Sequence, residues 1–119
     1  MRLPRMTTRR WMIVVAIAAT LLTAEKLRRN WRERSLKAAA YLAVAKSWSD
    51  DASKVELMMV LPRSRSDPAS AARLAGLEKV ARNYRDFERS NRELASKYER
   101  AARYPWLPVE PDPAEPPEP

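Results

Sequence analysis

Four acid–base pairs stand out among the residues that could do chemistry: Glu78 with Arg82, Glu88 with Arg92, Glu93 with Lys97 and Glu99 with Arg103. Each carboxylate lies four residues before its cation. On a helix this puts both charges on one face in the favoured order, worth about 0.2–0.5 kcal/mol per pair. It is the spacing of helix support, not of two carboxylates facing a scissile bond. The sequence contains no Cys and no His, which removes thiolate nucleophiles, imidazole acid–base work and nearly every zinc, copper or haem site. The single glycine, Gly76, excludes a Gly-rich phosphate-binding loop. These residues point away from an enzyme, and neither a cofactor nor a small-molecule substrate is expected.

Charge narrows the partners. The net charge is +8, but residues 1–104 hold 23 basic and 11 acidic side chains while residues 105–119 hold four acids and no base, so +12 is followed by −4. A basic body of this kind suits an anionic lipid surface or, as the alternative, a nucleic acid or another polyanion. No nucleic-acid-binding motif accompanies the charge, and the nucleic-acid reading is the disfavoured one.

The elements that position these charges begin with residues 11–24, WMIVVAIAATLLTA, which follow a basic N-terminal region, residues 1–10, and precede Lys26, Arg28 and Arg29. As a helix this run is about 21 Å long, against about 30 Å of bilayer hydrocarbon. Trp11, Ile13, Val14, Val15, Ile17, Leu21 and Leu22 leave it without a polar face, which a helix on the outside of a small soluble domain would show. The run is expected to be a transmembrane or signal-anchor helix, with arginine and lysine stems reaching the headgroups and Trp11 and Trp31 near the interfaces. A single-pass location in an inner membrane follows. A cleaved secretory signal and a buried soluble helix are the other readings. Thr8-Arg9-Arg10-Trp11-Met12-Ile13 also resembles a twin-arginine export signal. With four basic residues before the run and six in the fifteen after it, charge leaves the orientation open.

Residues 25–104 read as helix throughout. A basic, Ala-rich helix is expected to end near Trp48, and Ser53-Lys54-Val55-Glu56 has the pattern of a capping box opening a short helix to Leu61, stopped by Pro62. Asp67-Pro68 then marks the start of a helix with no breaker but Gly76 before Pro105. Its apolar residues follow a seven-residue repeat: Leu77, Tyr84, Asn91 and Tyr98 in one series, Val80, Phe87, Leu94 and Ala101 in the other. Such a seam serves either a helical hairpin within the chain or a coiled coil with another copy or a helical partner; a core Asn is what a parallel dimer uses to set register. Ala81, Ala95 and Ala102 widen the stripe toward the hairpin geometry.

Residues 105–119 contain seven prolines, which forbid helix and sheet and predict an extended or disordered acidic tail, with Trp106 and Leu107 packing back on the helix end. Together, Arg9-Arg10-Trp11-Met12 before the apolar run and the segment Lys97 to Pro113, KYERAARYPWLPVEPDP, resemble a set of small planctomycete bacterial proteins that have no known activity. Those proteins often have a His shortly before the Lys-Tyr-Glu-Arg stretch, where this chain has none. The resemblance implies an anchored helical build. The expected fold is therefore all-α: an N-terminal anchor, a basic helix, a short helix, a long heptad-patterned helix and a Pro-rich tail. The expected role is protein–protein interaction or scaffolding at a membrane.

Overall fold

The computed structural model describes residues 7–64 and 66–114, and of Leu61 only the backbone. The expectations for residues 1–6 and 115–119, and the side chain closing the expected short helix, lie outside the described residues. The fold is all-helical: α1 spans Thr8–Met58, α2 is the single turn Val60–Arg63, and α3 spans Pro68–Arg103. No strand occurs among the described residues.

The apolar run continues without a break into the basic helix, as the absence of Pro and Gly from residue 5 to residue 61 predicts, and most of the expected short helix joins the same element, which corrects the break expected near Trp48. No Pro or Gly interrupts residues 8–58, so α1 runs for 51 residues, about 76 Å. Ser53 is not a cap. Its hydroxyl donates to the Ser49 carbonyl at 3.0 Å, one turn back inside the helix. The weak helix formers around it differ from alanine by only tenths of a kcal/mol each, and Trp48, Ala52 and Val55 pack on the neighbouring helix through the same turns. The chain turns between Met59 and Asp67, and α3 opens with Asp67 as N-cap residue and proline in the first turn.

α3 runs back antiparallel along the C-terminal part of α1. Near the turn, Val55 and Met59 of the first helix and its exit meet Ala81, flanked by Leu74, Leu77, Val80 and Tyr84. Further along, Trp48 packs on Tyr84 and Phe87 with ring centroids 5.4 and 5.1 Å apart, and Tyr41 stacks on Tyr98 at 5.6 Å. The core is built mainly of small residues: Ala45, Ala52, Ala81, Ala95 and Ala102 are all buried. Alanine brings two helix backbones close, and the aromatics fill the gaps beside it. Arg85 pairs with Glu56 and Arg63 with Glu78 along the edge.

Because α3 ends at Arg103, beside Arg34, the first 20 or so residues of α1 extend past it with no covering helix. The molecule is accordingly elongated, 97 × 22 × 20 Å.

Two further expectations are corrected. No helix among the described residues is long and apolar enough to cross a membrane. The uncharged run is 14 residues long and Arg10, Glu25 and Lys26 bound it, so any longer window takes in charge. Nor is the run a buried helix, since every residue from Thr7 to Ala24 is exposed. The Pro-rich tail has no regular structure from Pro108 to Ala114, as its prolines dictate, yet it is not free of the helices. Asp112 ties it back to both of them.

Candidate functional site

Two features could do something beyond holding the fold: the uncovered end of α1 and a groove beside the tail. In the first, Trp11, Ile13, Val14, Val15, Ile17, Leu21 and Leu22 are all between 47% and 73% exposed, spread over the whole circumference. An α-helix satisfies its own backbone, and the two hydroxyls within the run are satisfied as well. Thr20 Oγ1 donates to the Ala16 carbonyl, and Thr23 Oγ1 to that of Ala19 at 2.8 Å. Residues 11–24 therefore present an apolar surface with its hydroxyl donors already bonded, apart from the indole N–H of Trp11.

Charge brackets this surface. Arg9 and Arg10 precede it. After it, Glu25 accepts from Arg28 Nε at 3.0 Å and from Arg29 Nε at 3.0 Å. Those hydrogen bonds hold the Glu25 carboxyl well below the usual carboxylate range, at about 2. Two cations on one anion leave the cluster positive, and Lys26 and Arg32 beside it make no ion pair or hydrogen bond with any described residue. Of the six basic residues in the fifteen after the run, Arg34 and Lys37 serve elsewhere: Lys37 pairs with Glu33 at 3.2 Å, and Arg34 closes the end of α3.

That closure was not foreseen from sequence. Arg34 donates through Nη1 to the carbonyls of Ala101 and Tyr104, at 2.9 and 3.0 Å, and through Nη2 to that of Leu107 at 2.8 Å. Asn30 Nδ2 reaches the Pro105 carbonyl at 3.3 Å. A cation on the free carbonyls of a helix C-terminus meets both their hydrogen-bonding need and the negative end of the helix dipole. The bonds go to the backbone of Ala101, Tyr104, Pro105 and Leu107, and the side chains of the turn stay exposed: Tyr104 is 49% exposed, Trp106 64% and Leu107 51%. Trp106 meets the ring of Tyr104, the C-cap residue, edge to face at 5.7 Å, so the expected packing of Trp106 and Leu107 on the helix end is only partial.

The second feature is a groove of about 1100 Å³ between the outer face of α3 and residues 107–110. Arg85, Arg89, Arg92, Lys97 and Arg100 line it opposite Leu107, Pro108 and Val109. Three of those cations are held within the chain: Arg85 by Glu56, Arg92 by Glu88 and Lys97 by Asp112. Asp112 is the joint of the tail, accepting from Lys97 at 2.8 Å and from the hydroxyls of Tyr98 and Tyr41 at 2.7 and 3.2 Å. These donors lower the Asp112 pKa, Lys97 most. The bond to the carboxylate pushes the Tyr98 phenol up to about 12.

The seam residues lie where α3 meets α1. Leu77, Val80, Tyr84, Phe87, Leu94 and Ala101 are half-buried and Tyr98 is buried, with the flanking alanines deepest. Asn91 does not bond across the helices; its amide donates to the Phe87 carbonyl of its own helix at 2.9 Å. No group of three Asp or Glu able to hold a metal ion occurs among the described residues. Comparison with protein-family models, curated proteins and solved structures finds no match to this chain.

Proposed function

We propose that this chain is a small membrane-associated helical protein. The uncovered end of α1 is immersed at the boundary of headgroups and acyl chains, and the paired helices beyond it form a surface for protein partners. The observation that carries this reading is the continuous apolar surface from Trp11 to Leu22, exposed around the helix and covered by no other part of the described chain.

The magnitudes require two contributions. Ile13, Val14, Val15, Ile17, Leu21 and Leu22 together are worth roughly 2–4 kcal/mol on a bilayer-insertion scale, which is marginal. Each Lys or Arg near an anionic surface adds about 1 kcal/mol. Arg9 and Arg10 at one end, with Lys26 and Arg32 at the other, therefore contribute as much as the apolar run. Binding should be tighter to anionic than to zwitterionic bilayers.

The interaction role rests on what the packing leaves open. The heptad seam of α3 is covered by α1, so association with another copy through that seam would first have to separate the two helices. The outer face of α3 and the groove stay accessible. The polyanion reading draws on this groove, but with three of its five cations already paired it offers little free charge.

Flotation of the full-length chain with vesicles of phosphatidylcholine alone and of phosphatidylcholine with phosphatidylglycerol tests the reading. Co-flotation is expected, stronger with the anionic lipid and weakened but not abolished by high salt. A full-length chain that floats with neither kind of vesicle, and stays dissolved and monodisperse without detergent, would overturn it.

A further inference from the structure

The turn that closes α3 brings an aromatic cluster to the base of the uncovered end of α1. Asn30 and the Pro105 carbonyl are 75 positions apart in sequence and 3.3 Å apart in space, which brings the backbone just after α3 to the Asn30 level of α1, next to Trp31 in sequence. Trp31 is 53% exposed, Tyr104 49%, Trp106 64% and Leu107 51%, and the Tyr104 and Trp106 rings meet edge to face at 5.7 Å. Four large exposed side chains, three of them aromatic, thus lie on the two elements that meet near the Arg28, Arg29 and Arg32 level of α1, with Tyr104 and Trp106 in contact; they are called the collar.

We propose that this collar is a second lipid contact, in which Trp31, Tyr104, Trp106 and Leu107 sit in the headgroup zone of an anionic bilayer and seat the helix pair against it. The proposal rests on the membrane reading and deepens it by naming the residues outside the apolar run that touch lipid. Indole and phenol rings are amphipathic, with an apolar body and a polar tip, and they are favoured at the membrane–water boundary. With α1 lying along the boundary, the roughly 10 Å of axis between Ala24 and Trp31 is distance within the plane of the bilayer rather than depth, so the collar stays at the level of a headgroup zone roughly 5–8 Å deep. Lys26, Arg28, Arg29 and Arg32, at and near this level, outnumber Glu25, the one anion paired with them, and match the charge of the lipid.

The path of the tail supports the same placement. Beyond Leu107 the chain turns back along the helices toward Lys97, Tyr98 and Tyr41, away from the apolar end, and Asp112 fixes it there. Glu110 and Asp112, which an anionic surface would repel, are carried away from it. Trp106 and Leu107 are left exposed at the turn. Arg34 and Asn30 hold this turn through its backbone carbonyls and not through those side chains.

The test uses the full chain on phosphatidylcholine and phosphatidylglycerol vesicles, with tryptophan emission quenched either by acyl-brominated lipid or by aqueous acrylamide. The emission of Trp106 is taken as the difference between the native chain and Trp106→Phe, a substitution that keeps a ring against Tyr104. Trp106 emission is expected to be quenched by brominated lipid and shielded from acrylamide on vesicles. Replacing Trp106 and Leu107 together by Glu is expected to weaken vesicle binding about tenfold while helical ellipticity is unchanged. If the chain floats with vesicles but Trp106 stays as open to acrylamide as in water, the collar is wrong and the anchoring by the apolar run stands. If the chain does not float at all, both fall.

Discussion

The guanidinium of Arg34 donates to the Ala101 carbonyl across 2.9 Å, so the end of α3 is capped by a side chain of α1 rather than by its own sequence. Tyr104, the C-cap residue, is not glycine and has φ −126°, outside the left-handed conformation that usually ends a helix by itself. Arg34→Ala removes three bonds to backbone carbonyls and a favourable charge at the helix end. Two of the three bonds are solvent-exposed, so water replaces part of what is lost. The expected destabilisation is about 1.5–3 kcal/mol, read from urea unfolding of the full chain by helical ellipticity. Arg34→Lys should fall between, since an ammonium keeps the charge but cannot fork to three acceptors.

The joint at Asp112 gives the chain a pH signature with two edges. Asp112 has a lowered pKa, so the stability it lends is present above its ordinary value of 3.8 and is lost as pH falls through the lowered one. Tyr98 is shifted the other way, from 10.0 to about 12, so its contribution is complete below pH 10 and is lost as pH rises toward 12. A phenolate absorbance titration should show one tyrosine ionising late. Asp112→Asn should bring that tyrosine back toward 10. A titration unchanged by this substitution would show that the tail is not held at Tyr98.

Ala45 and Gly76 make a steric contrast. Ala45 is 1% exposed where α1 lies against α3, and Ala45→Leu has nowhere to put its extra carbons without parting the helices; a loss of about 1–3 kcal/mol is expected. At Gly76, within α3, a Cβ would meet nothing within 4 Å. Gly76→Ala should therefore stabilise by roughly 0.5–1 kcal/mol, through better helix propensity alone. Thermal unfolding of the two variants should shift in opposite directions.

Local chemistry determined much of the architecture. The absence of breakers from residue 8 to 58, the Asp67-Pro68 start and the Pro105 stop define two long helices from short-range rules, and the alanines beside the seam mark the face of α3 on which a close partner fits. The charge split and the missing polar face of residues 11–24 are also readable there, because they are matters of composition and period. Local rules misled at Ser53, where a capping pattern was outweighed by the contacts of Trp48, Ala52 and Val55 with another helix. They were silent on the rest. Which cations remain unpaired depends on where Arg34 and Lys97 end up, and Asp112 finds Tyr41 only because two helices have first been laid side by side. Asn30 reaches the Pro105 carbonyl for the same reason. Contacts between residues dozens of positions apart have no period and no spacing; they exist only once the chain has turned at Met59–Asp67 and packed back on itself.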